Sequence, residues 1–187
     1  SINLSDTLIA RGHKVVLWTS AFNHSNKSHR SKKYKVIKIN TNLEIRLIPS
    51  IGYKKHIGLA RLIDHFQLGW NLKKILKNEK DKPDIAFIGY PPIETSAVMT
   101  KWLLKKNIPS ILDFIDLWPS LYVEVFPKIF QPIARLMFEP YFYLSKRTVN
   151  DATAVTSTAP TFLKWVLNFA GKDKREFDKV FRLTSPQ

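Results

Sequence analysis

The sequence predicts an α/β fold of the Rossmann-like, doubly wound type, with a mainly parallel sheet. Short runs rich in β-branched and aromatic residues alternate along the chain with longer segments of helical periodicity. These short runs are apolar almost throughout, which is typical of strands in a parallel sheet that is covered on both faces. The 187 residues are enough for one domain with a hydrophobic core, and we expect a single domain over residues 1–187.

The first part of the chain is predicted to contain two helices and three strands. Gly12 stands where the first helix should end, and the polar residues 21–33 read as a loop. Alternating apolar residues favour a hairpin for the last two strands. The predicted elements are a helix at 2–11, strands at 14–20, 34–39 and 43–48, and a long helix at 58–78.

The rest of the chain continues the alternation, and Pro132 and Pro140 must stand at helix starts or kinks. A doubly wound domain opens on a strand, but this chain opens on a helix. We therefore expect its first strand to be missing and the chain to be a fragment. The predicted elements are strands at 84–88, 110–115, 152–156 and 180–183, helices at 93–106 and 160–169, and a mostly helical stretch at 128–150.

Composition narrows the class of protein. The formal net charge of +15 favours an anionic partner, although a basic surface without any partner is the other interpretation. No uncharged apolar run reaches the length of a transmembrane helix, and no signal peptide is recognisable. Cysteine is absent, which excludes disulfides and thiolate metal sites. His24 and His29 have no acidic residue nearby, so we expect no metal site.

Two segments of unusual composition follow two predicted strands. The Pro-Pro corner is Gly89-Tyr90-Pro91-Pro92, and the Trp-Pro corner is Asp116-Leu117-Trp118-Pro119. Ligands of open α/β sheets bind beyond the carboxyl ends of the strands, so both corners are expected to face one crevice. There Asp116 can bind hydroxyls or act near a reacting centre, and Trp118 offers a flat apolar face.

A purely structural interpretation of the same corners stays open at this point. The prolines then form a rigid turn, Asp116 is a helix N-cap and Trp118 is a core residue. Asp113 lies inside a predicted strand, so we expect a buried carboxylate paired with a cation or with backbone.

These motifs resemble the amino-terminal domain of family 4 glycosyltransferases, which are retaining enzymes of GT-B fold, and in particular the bacterial subgroup acting in cell-surface polysaccharide synthesis. Three features depart from the family pattern. Ser120 stands in place of the usual Glu, and Asp113 stands in a strand that normally carries a Glu or another polar residue. The first strand with its Gly-rich turn is absent from this sequence. The resemblance is carried by Pro83-Asp84, Pro91-Pro92, the Trp-Pro corner, "LIARGHKVVLWTS" (8–20), "TSTAP" (156–160) and "DKVFRLTSP" (178–186).

The resemblance implies the acceptor-binding half of an enzyme. That enzyme would move a sugar from a nucleotide-sugar donor to a membrane-linked saccharide or lipid acceptor. The donor is expected to bind a carboxyl-terminal domain that is absent here, so the chain alone should be inactive or nearly so, with no cofactor and no metal of its own. Asp116 is the expected catalytic residue, and Tyr90, Pro91, Pro92 and Trp118 are expected to shape the acceptor pocket.

The 58–78 helix combines apolar residues with a basic side, which suits a helix lying on an anionic membrane. A core-packed helix with a solvated basic face has the same periodicity and remains the alternative. We expect a cytoplasmic protein, peripheral on the inner face of the membrane. The expected membrane-surface residues are Lys54, Lys55, Arg61, Lys73, Lys74 and Lys77.

Two other functions compete with sugar transfer. A basic nucleic-acid-binding module fits the charge, but no helix-turn-helix, RNA-recognition or zinc-finger signature is present. A stand-alone nucleotide-binding Rossmann domain fits the fold, but the 6 glycines form no phosphate-binding loop. We therefore expect no nucleic-acid partner.

Overall fold

The computed structural model describes residues 2–54 and 58–182, and the side chains of 4–54 and 58–182. The chain is an α/β protein that divides into two compact units, residues 1–75 and 76–187. Among the described residues the strands do not form the one sheet that we expected. They pair in a three-stranded sheet and a small hairpin in the first unit, and in a four-stranded sheet in the second.

The first unit is built on a sheet of three strands in the order β1-β5-β4. β5 pairs parallel with β1 and antiparallel with β4, which confirms the predicted hairpin. Gly12 ends the first helix as predicted: its φ is +84°, and the next residue, His13, donates its N–H to Leu8 O at 3.0 Å. The elements are α1 Ile2–Ala10, β1 Val15–Ser20, β2 Phe22–Asn23, β3 Ser28–His29, β4 Lys35–Lys38, β5 Leu43–Ile48 and α2 Leu59–Lys77.

The predicted polar loop at 21–33 contains a small hairpin, β2 paired antiparallel with β3. Phe22 is buried there, with its ring centroid 5.1 Å from that of His29 and 5.2 Å from that of Tyr53. Gly52 permits this packing, because a Cβ at that position would lie 2.6 Å from the Phe22 ring and its φ is +79°.

Helix α2 divides its apolar residues between two sides. Leu68, Leu72 and Leu76 are buried, whereas other large apolar residues of the helix project into solvent. The exposed set is Leu59, Ile63, Phe66 and Trp70, at 77, 57, 63 and 50%.

The second unit contains four parallel strands in the order β6-β7-β8-β9. Pro132 and Pro140 stand in the first turns of two helices, as predicted. Helix α4 was not predicted, and residue 183 of the predicted last strand lies outside the described residues. The elements are β6 Ala86–Tyr90, α3 Ile93–Lys105, β7 Ser110–Phe114, α4 Ser120–Glu124, a 3₁₀ turn Lys128–Phe130, α5 Gln131–Met137, α6 Glu139–Asp151, β8 Ala154–Ser157, α7 Pro160–Ala170 and β9 Lys179–Val180.

Within this unit the helices pack on the strands. Helix α3 contacts β6 and β7, α7 contacts β7, β8 and β9, and α6 contacts both α3 and α7. Burial alternates along β6 and β7 accordingly. Tyr90, Leu112 and Phe114 are fully buried, whereas Phe87 is exposed and Asp113 is half-buried.

Candidate functional site

The two corners lie side by side at one end of the second unit's sheet. Strands β6 and β7 are parallel neighbours, and the last residue of each, Tyr90 and Phe114, are partners in the register. Ile115 N–H donates to Tyr90 O at 3.1 Å, one residue beyond the ladder. The Tyr90–Pro91, Pro91–Pro92 and Trp118–Pro119 bonds are cis. The predicted adjacency of the two corners is thus confirmed, and the crevice that they were expected to face stays a prediction.

Tyr90 joins the corners from the inside of the unit. Its ring is 0% exposed and stacks on Phe114, with centroids 4.0 Å apart. Its hydroxyl donates to Trp118 O at 3.2 Å and lies 2.5 Å from Ser145 Oγ, so the serine is left to donate to the tyrosine. Burial raises the pKa of Tyr90, which keeps the phenol protonated. The expectation that this ring lines the acceptor pocket is therefore corrected, because the ring faces the packed interior.

Trp118 is likewise a packing residue in this structure. The residue is 9% exposed, and its ring meets Tyr122 edge to face, with ring centroids 4.3 Å apart. Tyr122 in turn stacks on Phe138 at 4.9 Å. The flat face of Trp118 that was expected to shape the acceptor pocket is thus covered, as in the core interpretation. Pro91 and Pro92 are half-buried and keep part of their surface accessible.

Asp116 is the one acidic residue in the two corners, and it is exposed to solvent. The N-cap interpretation does not apply to it, because α4 begins at Ser120 and Pro119 occupies the cap position. Its catalytic role stays a prediction. Asp113 accepts a hydrogen bond from the Thr156 hydroxyl at 2.5 Å, so its partner is a neighbouring strand's hydroxyl and neither the cation nor the backbone that we expected.

A buried carboxylate close behind the Pro-Pro corner was not predicted. Glu94, in the first turn of α3, is 7% exposed, and its Oε1 accepts a hydrogen bond from the Tyr141 hydroxyl at 3.0 Å. Burial and then the Glu94 carboxylate raise the pKa of Tyr141. The sequence does contain a feature that could have indicated Glu94. It is an acidic residue in the first turn of a predicted helix, directly after two prolines, and helix N-termini favour negative charge.

The expected membrane-surface cations have different environments. Lys54, Lys73, Lys74 and Lys77 are exposed, and Lys55 lies outside the described residues. The ammonium groups of Lys73 and Lys74 lie 5.7 and 5.6 Å from the ring centroid of Trp70. Arg61 is half-buried, and its Nε donates to His65 Nε2 at 3.4 Å, so it packs on its own unit instead of extending into solvent.

None of the helices described, over residues 2–54 and 58–182, is both long and apolar enough to cross a bilayer. The same part of the chain contains no cluster of three or more His, Cys, Asp or Glu residues that could hold a metal ion.

The model of glycosyltransferase family 4 matches residues 1–176, which includes both corners and all strands except β9. The chain belongs to glycosyltransferase family 4. A comparison of this family 4 chain with curated proteins found no match. The resemblance carried by the corner motifs is thereby confirmed at the level of the family, and the Rossmann-like α/β fold agrees with it.

Proposed function

We propose that this family 4 domain is the acceptor-binding half of a retaining GT-B glycosyltransferase of polysaccharide synthesis. The reaction would transfer a sugar from a nucleotide-sugar donor to a membrane-linked saccharide or lipid acceptor. The donor would bind a second domain, as the resemblance to family 4 glycosyltransferases implies. Transfer requires donor and acceptor to be held together, so this domain alone would have little or no activity.

The observation that carries the proposal is the exposed Asp116 beside the partly exposed Pro91 and Pro92. These residues follow adjacent parallel strands, the usual position of ligand sites in open α/β sheets. The carboxylate can accept a hydrogen bond from an acceptor hydroxyl and so orient it for transfer. Tyr90 and Trp118 act from the interior, where they hold the two corners in place.

Asp116→Asn in the complete enzyme tests this role. The change keeps the size of the side chain and removes its charge, so we expect turnover to fall about tenfold or more, because a neutral amide oxygen accepts a weaker hydrogen bond from the acceptor hydroxyl than a carboxylate does. Asp84→Asn is the matched control, because Asp84 is an exposed carboxylate just before the opposite end of β6. Wild-type turnover and acceptor affinity in Asp116→Asn would reject the assignment.

We also propose that α2 lies on an anionic membrane, with the protein peripheral on the cytoplasmic face. Its exposed apolar residues recur at Leu59, Ile63, Phe66 and Trp70, a spacing that places them along one stripe of the helix. Lys73 and Lys74 flank the Trp70 end of this stripe. An apolar stripe with cations at its border is the composition of an interfacial helix.

Vesicle binding tests the contribution of α2. The double change Lys73→Gln/Lys74→Gln should weaken binding to anionic vesicles roughly thirtyfold, at about 1 kcal/mol per cation near the surface. Lys101→Gln/Lys105→Gln removes two exposed cations from α3 and is the control. Equal binding by the two double variants would exclude α2 as the membrane contact.

A further inference from the structure

The segment that follows the Trp-Pro corner carries a continuous apolar surface. This apolar segment, residues 121–137, contains α4 from its second residue, the 3₁₀ turn and α5. Helix α4 and the 3₁₀ turn both contact α5, and the Gln131 side chain donates to Phe126 O at 3.1 Å. The large apolar residues on the outside are Leu121, Val125, Phe126, Ile129, Phe130, Ile133, Leu136 and Met137, exposed by 39, 59, 39, 79, 53, 60, 76 and 67%.

The exposure follows from the way in which the segment is anchored. Tyr122 and Ala134 are its inward-facing residues, at 9 and 2% exposed. In α5 the residues Ile133, Leu136 and Met137 follow the i, i+3, i+4 spacing and so share one side of the helix. Because the small Ala134 makes the inward contact of α5, the large side chains are left on the outside.

This surface is large enough to form a stable protein interface. A large apolar residue has roughly 200 Å² of surface, so the exposed fractions amount to about 900 Å². The largest apolar patch of a typical monomer measures about 300–600 Å², whereas each partner of a standard protein–protein interface buries about 800 Å². Two copies of the chain that meet through this surface would bury about 1,800 Å² in total, which is enough for a specific dimer.

The charges around the surface favour a protein as its occupant over an anionic bilayer or a nucleic acid. The chain has a net charge of +15, but residues 117–145 contain two acidic and two basic residues and so have no net charge. These four are exposed, and they are Glu124, Lys128, Arg135 and Glu139. Two copies of so basic a chain repel each other, and a surface without net charge lets them approach with little repulsion.

Two of the four charges complement each other between copies. Arg135 forms an ion pair with Glu139, whereas Glu124 and Lys128 form none within the part of the chain that the structure describes. Pro127, whose ψ is 144°, interrupts the helical backbone between them. In a two-fold symmetric contact, residue i of one copy meets residue j of the other, and the reverse. An axis that passes between Glu124 and Lys128 therefore forms two intermolecular ion pairs.

We propose that residues 121–137 form a two-fold symmetric interface between two copies of this chain, with Glu124 of each copy facing Lys128 of the other. The apolar side chains supply the buried area, and the two ion pairs fix the register of the contact. This inference goes beyond the proposed function and does not depend on it, because it uses no property of the donor or the acceptor.

Charge reversal tests the pairing. Analytical ultracentrifugation of the wild-type chain at micromolar concentration should show a dimer, since interfaces of this size bind with micromolar or higher affinity. Glu124→Lys and Lys128→Glu should each raise the dimer dissociation constant about tenfold or more, because like charges then meet twice across the axis. An equimolar mixture of these two variants should restore the dimer, because each facing pair in the mixed dimer again has opposite charges.

Glu176→Lys and Lys101→Glu are the matched controls. They reverse exposed charges elsewhere in the second unit and change the net charge by the same amounts, so both should dimerise as the wild type does. A wild-type chain that stays monomeric at micromolar concentration would overturn the proposal. So would a dimer that all four variants weaken equally, or a mixture of Glu124→Lys and Lys128→Glu that stays monomeric.

A pair of double variants tests the apolar contribution. Ile133→Ser/Leu136→Ser should raise the dimer dissociation constant roughly a hundredfold, because each change removes buried apolar area from both copies. Phe177→Ser/Phe181→Ser is the control, since these residues are 65 and 61% exposed elsewhere, and it should leave the dimer intact. Equal dissociation constants for the two variants would assign the dimer to another surface and overturn the proposal.

Vesicle flotation separates a second copy of the chain from a bilayer as the occupant. A wild-type monomer that binds phosphatidylcholine–phosphatidylglycerol vesicles, and that Ile133→Ser/Leu136→Ser releases from them, would assign the surface to lipid and overturn the proposal. We expect instead that this double change leaves vesicle binding as it is in the wild type. None of these assays contains a donor or an acceptor, so their outcome leaves the Asp116 hypothesis to its own test.

Discussion

At the residue scale, one hydroxyl connects the parts that build the candidate site. Tyr90 is the last residue of β6, its hydroxyl reaches the backbone of the Trp-Pro corner at Trp118 O, and Ser145 holds the same hydroxyl from α6. All of these groups are buried, so no water is expected to replace a bond that is lost. The position of the Trp-Pro corner thus depends on a residue whose side chain is buried.

Tyr90→Phe should therefore destabilise the protein by about 1–3 kcal/mol, because Trp118 O and Ser145 Oγ both lose their partner inside the protein. Urea unfolding followed by circular dichroism measures the change. Tyr143→Phe is the control, since Tyr143 is 64% exposed on the neighbouring helix α6, and it should alter the free energy of unfolding by no more than about 0.5 kcal/mol. Equal stability of the two variants would show that the buried hydroxyl does not hold the corner.

The same residue shows what the sequence can and cannot predict about a site. The apolar run and the two prolines after it predicted correctly that a strand ends close to Tyr90. The predicted strand ended at residue 88, however, which placed Tyr90 in the following loop, whereas Tyr90 is the last residue of the strand in the structure. A residue inside the strand alternates in direction with its neighbours, and here that alternation turns the ring toward the helices. The buried position of Glu94 was not predicted either. Its partner, the Tyr141 hydroxyl, is 47 residues further along the chain, so no local pattern indicates the contact.

At the element scale, Asp178 anchors the connection between α7 and β9. Its carboxylate is 0% exposed and accepts hydrogen bonds from Val155 N at 2.7 Å and Arg175 N at 2.8 Å, and it pairs with the Arg175 guanidinium. Burial by itself raises the pKa of Asp178, but the hydrogen bonds from Arg175 and Val155 outweigh it and lower the pKa below its ordinary value of 3.8. The carboxylate thereby links β8 to the segment that leads into β9.

Asp178→Asn should lower the free energy of unfolding by about 2–4 kcal/mol near neutral pH. The amide cannot form the ion pair with Arg175, and its NH₂ group would face the N–H groups of Val155 and Arg175, which are also donors. A carboxylate whose pKa is lower in the folded state stabilises the fold above its unfolded pKa, and this contribution declines as the pH falls through the folded value. The difference between wild type and variant should therefore shrink below about pH 3.8. Asp173→Asn, at an exposed position of the same connection, is the control in urea unfolding at several pH values. A difference independent of pH would contradict this account.

The bounds of helices and strands with a regular spacing of apolar residues were predicted to within one residue in three cases. The bounds of β5 are those predicted, and α3 and α7 differ from their predicted bounds by one residue. The hairpin β2–β3 was missed because its sequence is polar except at Phe22, whose burial depends on Gly52 and Tyr53 further along the chain. Helix α4 is five residues long and its apolar side chains do not all face inward, so no regular periodicity marks it.

At the scale of the whole molecule, the two units carry different proposed roles. The first unit, residues 1–75, contains most of α2 and its exposed apolar stripe, and the second contains both corners. The family was evident from the order of the corner motifs along the chain. The identity of the sugars was not, because no described side chain at the corners discriminates among hydroxyl-bearing acceptors by its chemistry alone.

The central claim is that the acceptor binds at the ends of β6 and β7. Photoaffinity labelling of the complete enzyme tests it most directly, with a lipid-linked saccharide that carries a diazirine next to its accepting hydroxyl, followed by peptide mass spectrometry. The account predicts cross-links at the accessible residues of the corners, Pro91, Pro92 and Asp116, which unlabelled acceptor suppresses. Efficient, competable labelling that avoids both corners, for example within α7 and the loop that follows it, would contradict the account.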